Sequence, residues 1–351
     1  MSPIALHPNP DLRDDLDPPA DASHPPAGVV VFQDRTLLVR GIPWVLLAAA
    51  VLLGITDRGL TQRWDTFPFL ISFLFFGMPH GAMDWVVDGR LRADFDRRIT
   101  LPRFSWYLAW MSASAALLFL MPVVAVLGFF VLTVIHWGLG DLDATTTSLP
   151  TRWARVAAIA GRGLLVLGVA FAVSPAAAWA PFALLVGEGP GSFDADAGVR
   201  MVGMAAVVAG GIAAIAWMLH RWRHGEHRAA LYDAAETTLV VAAIGLTDPL
   251  FGIGVYFLST HSFRHALRLA STPEVLPENA NGGSLLRRLI WVHLLSLPLL
   301  VPTLVMLLGW CWIQFGSFGV DDLTATMLGF FLITTLPHHL LGRRLPRIRR
   351  G

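Results

Sequence analysis

Long apolar runs separated by short polar segments dominate the chain from residue 42 onward. A helix needs about 20 mostly apolar residues to cross a bilayer. The run 104–137 is too long for one crossing, and Met121-Pro122 near its middle predicts a break, because proline disrupts a helix and restricts the residue before it. The pattern therefore predicts ten spans, over 42–55, 66–87, the two halves of 104–137, 156–173, 199–219, 231–246, 250–269, 289–310 and 323–341.

The segments outside these runs define the domain limits. Residues 1–40 are rich in Pro and Asp and lack the basic start and apolar core of a signal peptide, so they are predicted to form a disordered or loosely held tail. Residues 41–342 are interpreted as one transmembrane domain that holds any catalytic site, and 343–351 as a basic cytoplasmic tail. The short apolar piece 179–186 lies among prolines, which favours an interfacial or re-entrant segment.

Arginine clusters predict the orientation, because basic residues stay on the cytoplasmic side of a membrane. With ten spans and both termini in the cytoplasm, every cluster falls inside and the acidic segment 188–196 falls outside. Span two is followed by Arg90, Arg92, Arg97, Arg98 and Arg103, and span four by Arg152 and Arg155. Span six is followed by Arg221, Arg223 and Arg228, and span ten by Arg343, Arg344, Arg347, Arg349 and Arg350.

Composition supports the membrane interpretation. The 351 residues are 55% hydrophobic and 15% charged, with a mean hydropathy of +0.59, whereas a soluble domain has about 25% charged residues. The net charge of +1 gives no indication of nucleic-acid binding, and the single Cys311 allows no disulfide and disfavours a thiolate metal site. The expected fold is an all-α polytopic transmembrane bundle in the cell membrane.

Histidines inside the apolar runs carry the candidate chemistry. His261 and His265 are four residues apart, so on a helix their imidazoles share one face and can bind one metal ion. The predicted topology places His80 and His136 at the same depth, in the cytoplasmic half of the membrane. Because ionisable residues are costly in a membrane and usually functional, these four histidines are the predicted metal ligands and catalytic residues.

Two aspartates and six further histidines are open to more than one interpretation. Asp84 and Asp141 could accept the second ring N–H of a ligating histidine, or could be charges at helix ends near the inner interface. Interhelical hydrogen bonding explains His293, His338 and His339 at least as well as metal binding does. A solvated loop best explains the remaining three histidines, His220, His224 and His227.

Imidazole ligands without thiolate suit Zn, Cu, Fe or Ni. An all-histidine site is neutral, so Fe(II) would keep its charge and could bind dioxygen at an open position. The chain has 21 Phe and 13 Trp but only 3 Tyr, and rings without polar groups can line a dry, apolar cavity. Trp137, Tyr256 and Phe257 neighbour the predicted ligands on their helices and are the candidate substrate-binding wall residues.

Three motifs resemble those of the Brp/Blh family, integral-membrane β-carotene 15,15′-dioxygenases of bacteria and archaea. The motifs are Gly-Met-Pro-His-Gly-Ala-Met-Asp at 77–84, His-Trp-Gly-Leu-Gly-Asp at 136–141 and Tyr-Phe-Leu-Ser-Thr-His-Ser-Phe-Arg-His at 256–265, and a later Pro-His at 337–338 also agrees with the family pattern. They occur in the family's order from about residue 70 to 341. Trp85, where many relatives have histidine, and Trp137, where phenylalanine is usual, depart from the pattern and bear on substrate preference.

This resemblance implies a function. It implies Fe(II) bound by His80, His136, His261 and His265, and cleavage of the central 15,15′ double bond of β-carotene by dioxygen into two molecules of all-trans-retinal. The substrate would come from membrane lipid, and the retinal could pass to an opsin.

Three other classes remain open on the residues alone. A haem-binding membrane protein would pair axial histidines on facing helices and needs no i, i+4 pair. A di-iron hydroxylase or desaturase would carry several HxxxH or HxxHH clusters, of which only 261–265 is present among the predicted ligands. A proton-coupled transporter with buried His and Asp predicts broken helices and inverted repeats, and no repeat is evident in this sequence.

Overall fold

The structure is a computed structural model that describes residues 37–91, 101–146, 150–187, 195–343 and 345. Within these residues the regular elements are all helices, which confirms the predicted all-α bundle. Eleven main helices follow one another: α1 Leu37–Thr56, α2 Phe67–Arg90, α3 Leu101–Leu120, α4 Pro122–Thr145, α5 Arg152–Val173, α6 Pro175–Val186, α7 Ala195–Arg223, α8 His227–Leu246, α9 249–270, α10 Leu285–Phe315 and α11 Val320–Gly342.

Length and hydropathy qualify eight of these helices as membrane spans: α1, α2, α4, α5, α7, α8, α10 and α11. The predicted break at Met121-Pro122 is present, because α3 ends at Leu120 and α4 begins at Pro122. The apolar part of α3, Phe104–Leu120, is shorter, and α9 carries two buried arginines. The ten-span count and the cytoplasmic termini therefore stay predictions.

The predicted tails lie mostly outside the described residues, which exclude 1–36 and 346–351. Residues 37–40, expected to end the N-terminal tail, instead form the first helical turn of α1. Arg40 in that turn is buried, because it pairs with Asp233 and Glu236 of α8. The short apolar piece 179–186 is the second part of α6, a twelve-residue helix that follows a break at Ser174.

Glycines allow α4, α5 and α7 to pack closely. A Cβ added at Gly163 of α5 would collide with the backbone of Val134 in α4, and one at Gly161 would lie 2.7 Å from the backbone nitrogen of Ala214 in α7. Small residues let membrane helices approach each other until their backbones touch. This packing fixes the position of α4, which carries His136.

Replacing Gly163 with alanine is expected to destabilise the bundle by about 1–3 kcal/mol, because the added methyl group forces α4 and α5 apart. Gly128→Ala is the matched control: Gly128 lies on α4, where an added Cβ meets nothing within 4 Å. Thermal unfolding in detergent would compare the two variants, and equal midpoints would contradict this account of the packing.

Wide π-helical turns interrupt the two helices that carry three of the predicted ligands. Phe73–Gly77 form such a turn in α2, just before His80, and Phe257–Ser262 form another in α9, around His261. Such turns are rare and occur frequently at functional sites. The helical conformation of α9 continues through its turn, because Pro249–Tyr256, Phe257–Ser262 and Phe263–Ala270 adjoin without a break.

Candidate functional site

Five histidine rings from four helices gather in the interior of the bundle. The ring centroid of His80 lies 4.6 Å from that of His265 and 6.1 Å from that of His261, and the His136 and His261 centroids are 4.7 Å apart. His338 of α11 joins them, with its centroid 5.0 Å from that of His80 and 5.2 Å from that of His136. The four predicted ligands are thus brought together, and all five rings are at least 91% buried.

The cluster has the donor set that a metal ion needs. Two ligands of one ion, each bonded at about 2.0–2.1 Å, have ring centroids within about 7 Å of each other, and the separations above satisfy this limit. In the described part of the chain, however, no three His, Cys, Asp or Glu side chains are already arranged to hold an ion.

Two of the clustered rings have ring nitrogens that are available to an ion. The Nδ1 of His261 and the Nε2 of His338 are buried without a hydrogen-bond partner among the described residues. Nδ1 of His80 lies 2.7 Å from the carbonyl oxygen of Phe76, so it is the protonated nitrogen and leaves Nε2 as an electron-pair donor. Buried polar atoms without partners are costly, and a bound cation would satisfy them.

His293 and His339 have partners of another kind. Nδ1 of His293 lies 2.7 Å from the carbonyl oxygen of Leu289, and Nε2 lies 2.6 Å from that of Phe75, inside the π-helical turn of α2. Both ring nitrogens therefore face backbone carbonyl oxygens, and the ring joins α10 to the π-helical turn of α2, as one of the two interpretations of His293 expected. His339 packs against the cluster, with its Nδ1 3.3 Å from that of His136.

Asp84 orients a histidine, but not one of the four predicted ligands. Its oxygens lie 2.8 Å and 2.9 Å from Nδ1 of His338, and the hydroxyl of Tyr107 donates to the same carboxylate at 2.7 Å. The carboxylate that was expected beside one of the four predicted ligands thus lies beside His338, a pairing that was not predicted. The sequence signals for His338 were its predicted place at the inner end of span ten and the Pro-His pair at 337–338.

Asp141 belongs to a buried ionic network instead of contacting a histidine ring. Among the described residues, its carboxylate is bound by Arg264 at 3.0 Å, by Arg162 at 3.2 Å and by the hydroxyl of Tyr256 at 3.0 Å. The prediction that Asp141 accepts a hydrogen bond from a ligand ring is thus corrected. Tyr256 is fully buried, because its hydroxyl is directed to Asp141, and it does not line the apolar cavity described below. Its predicted role as a wall residue is therefore corrected too.

Glu236 is the centre of this ionic network and was not singled out from the sequence. It is completely buried and pairs with Arg264 and Arg162 at 2.7 Å each and with Arg40 at 3.4 Å. Next to it, Asp233 pairs with Arg40 at 2.8 Å. The network ties α1, α4, α5 and α8 to Arg264, which lies between two of the predicted ligands on α9.

An apolar cavity of about 270 Å³ adjoins the histidine cluster. Four of the five histidines lie in its wall, as do two of the candidate wall residues, Trp137 and Phe257. It reaches the outer surface of the bundle at Leu108 of α3 and Met306 of α10, which are 41% and 54% exposed. The lining comprises Gly77, Met78, His80, Gly81, Ala82, Phe104, Tyr107, Leu108, Met111, Phe129, Thr133, His136, Trp137, Phe257, His261, Leu299, Thr303, Met306, Phe330, Phe331, Thr334, Thr335 and His338.

A smaller apolar cavity of about 50 Å³ lies behind the first. Four residues line both cavities and form the partition between them: Phe129, Thr133, Trp137 and Phe331.

Comparisons with known proteins identify the family of the chain. A family model described as beta-carotene 15,15'-dioxygenase matches residues 71–346, which include all five clustered histidines. The chain is 29% identical over 321 residues to "Probable beta-carotene 15,15'-dioxygenase Blh" of Halobacterium salinarum, covering 87% of this chain and 91% of that protein. No solved structure matches the chain. By the extent of the family match, this chain belongs to the beta-carotene 15,15'-dioxygenase family and is a carotenoid-cleaving dioxygenase.

Proposed function

We propose that this protein cleaves β-carotene at its central 15,15′ double bond with dioxygen and releases two molecules of all-trans-retinal. The observation that carries the proposal is the position of the histidine cluster, which forms part of the wall of an apolar cavity that reaches the outside of the bundle. The reaction balances without a reductant: one C=C bond and the O–O bond break, and each oxygen atom becomes the carbonyl oxygen of one aldehyde.

His80, His136, His261 and His265 would hold Fe(II) in this proposal. They are neutral nitrogen donors without a thiolate or carboxylate among them, a set that suits iron as well as zinc or copper. When bound, Fe(II) supplies the oxygen chemistry that protein side chains lack. The remaining tasks, which are to bind the polyene, to align it and to exclude water, fall to the residues of the cavity.

The cavity suits a substrate dissolved in lipid. A carotene has almost no concentration in water, so it would enter from the cell membrane at the exposed edge near Leu108 and Met306. Trp137 and Phe257 would pack against the polyene beside His261, whose ring centroid lies 5.9 Å from that of Trp137 and 5.5 Å from that of Phe257. Apolar walls also exclude water, which protects reactive species.

A substrate cut at its centre must extend on both sides of the cleavage point. The larger cavity would accept one half of the molecule, and the smaller cavity behind the partition would accept part of the other half. Rotation of Phe331 or Trp137 would open this second space as the polyene enters. The two cavities therefore lie where the two halves of a symmetric polyene would extend if its middle were beside the histidines, and the side chains around them would have to move to enclose the whole molecule.

Expression in a β-carotene-producing bacterium tests the proposal. Loss of the orange pigment with formation of all-trans-retinal as the product is expected, and a strain that expresses His261→Ala should keep its colour. Products of other chain lengths would reject central cleavage. Unchanged carotene in the presence of folded, iron-loaded protein would reject the substrate.

Filling the cavity should impair cleavage without removing iron. Gly81 lines the cavity, and an added Cβ there meets nothing within 4 Å, so a leucine side chain would occupy substrate space. Gly81→Leu is expected to lower the kcat/KM for β-carotene by about 10–100-fold, which corresponds to about 1.4–2.7 kcal/mol of transition-state stabilisation. The measurement is retinal formation in detergent at equal iron content.

Gly128→Leu is the control for this variant, because Gly128 is exposed on α4 and an added side chain there also meets nothing nearby. It should leave cleavage unchanged. If Gly81→Leu cleaved β-carotene at the wild-type rate, this cavity would not be the substrate site.

A further inference from the structure

His338 lies among the proposed iron ligands. Its ring centroid is 5.0–5.2 Å from the centroids of His80, His136 and His265. It also lines the large cavity beside the cluster. A histidine that served only to join helices would not need to lie among the rings proposed to surround an ion.

The two ring nitrogens of His338 have opposite environments. Nδ1 lies 2.8 Å and 2.9 Å from the two oxygens of Asp84, so Nδ1 carries the proton and donates to the carboxylate. Nε2 then has a free electron pair, and it is buried without a partner in the part of the chain that the structure describes. Burying such an acceptor without a bond costs free energy, unless a cation occupies the position beside it.

Asp84 and Tyr107 hold the ring in this state. The Tyr107 hydroxyl donates to Asp84 at 2.7 Å, and all three side chains are buried. Tyr107 lies on α3, Asp84 on α2 and His338 on α11. The two hydrogen bonds that connect them therefore fix the orientation of the His338 ring from two neighbouring helices. A carboxylate that accepts the outer N–H of a histidine raises the basicity of its inner nitrogen, an arrangement common at metal sites.

We propose that His338 binds the iron through Nε2 as a fifth histidine ligand, and that Asp84 and Tyr107 are its positioning residues. This inference rests on the proposed function, because it assigns a further ligand to the same ion. His293 shows the contrast: both of its nitrogens lie within hydrogen-bond distance of backbone carbonyls, so neither is available to an ion.

Metal affinity of the purified protein tests this inference independently of activity. The full-length protein in detergent is stripped with a chelator and titrated with Fe(II) without oxygen, and Co(II) absorption bands report the ligand field. His338→Ala should lose at least about 100-fold in Fe(II) affinity and should alter the Co(II) bands, since changes to residues that merely orient ligands cost about 10–100-fold. Asp84→Asn should fall within that 10–100-fold range.

Two further variants separate ligation from folding. Free imidazole should restore metal affinity to His338→Ala by occupying the vacated space, which a purely structural role does not predict. If His338→Ala does not fold, His338→Gln replaces it, with the same expected loss of affinity. His293→Ala should keep the wild-type affinity and the wild-type Co(II) spectrum.

The possible failures are distinguishable. If His338→Ala and His338→Gln bind Fe(II) like the wild type while His261→Ala does not, His338 is no ligand and the proposed function stands. If the wild-type protein binds no iron, both the inference and the iron-dependent function are wrong.

Discussion

Alanine at any one of His80, His136, His261 or His265 is expected to abolish retinal formation and to lower bound iron to the background level. The four rings come from three helices, and the observed centroid separations of 4.6–6.1 Å leave room for one shared ion. Removing one neutral donor loosens the ion and changes its geometry, so the loss in cleavage rate should exceed the 10–100-fold that removal of an orienting residue costs. Iron content by elemental analysis and retinal formation by chromatography measure the two effects.

His293→Ala is the control for these variants, because it too removes a histidine close to α2, here a partly buried one, but takes no nitrogen from the cluster. It should retain iron and most of the activity. An active, iron-loaded His136→Ala variant would remove His136 from the site, and equal losses in His293→Ala would show that the effects come from misfolding.

The sequence was sufficient to predict that four of the five clustered histidines lie together, because depth and helical spacing can be read from it. Apolar runs and arginine clusters predicted which end of each span carries its histidine, and the i, i+4 spacing paired His261 with His265. Matched depth in several spans then indicated a common site. The observed contacts of His80 with His261 and His265, and of His136 with His261, agree with that prediction.

Depth alone could not identify the partners of each side chain. Asp84 and His338 are 254 positions apart and meet because α2 packs beside α11, a neighbour relation that hydropathy does not encode. Asp141 lies little more than one helical turn after His136, which suggested a histidine partner as one of two interpretations, yet the rotation of α4 directs it to Arg264 and Arg162. Predicting such partners requires helix rotation and neighbour order, which depend on packing across the whole bundle.

The π-helical turns illustrate a second limit. Each adds one residue to a turn and shifts the face of every residue that follows, so the simple i, i+4 argument for His261 and His265 holds only approximately across Phe257–Ser262. No residue type in that segment marks the turn. The position of this turn beside the predicted ligands was therefore seen only in the backbone of the structure.

The ionic network was detectable in principle, because charges within apolar spans are rare and usually paired. Arg162 and Glu236 both interrupt apolar stretches of α5 and α8. They are 74 positions apart, so sequence spacing did not indicate that they form a pair. Only the structure shows that their side chains meet at 2.7 Å.

Glu236→Ala is expected to lower the free energy of unfolding by about 3–5 kcal/mol, the usual cost of removing one partner from a buried ion pair. Glu236 is completely buried, and its loss leaves the guanidinium groups of Arg40, Arg162 and Arg264 with fewer counter-charges in the interior. Thermal or SDS-induced unfolding in detergent, followed by helical circular dichroism, measures the change.

Glu226→Ala is the matched control, because Glu226 also pairs with an arginine, at 2.8 Å, but its side chain is 38% exposed. Arg221 is buried but keeps Asp233 as a counter-charge when the partly exposed Glu226 is removed, and partly exposed pairs contribute about 1 kcal/mol or less, so this variant should unfold close to the wild type. Since Arg264 lies between His261 and His265, Glu236→Ala should also weaken iron binding as α9 loses its anchor. If Glu236→Ala unfolded like Glu226→Ala, water or neighbouring acidic groups would be compensating the arginines, and the network would not be what holds α9 in place.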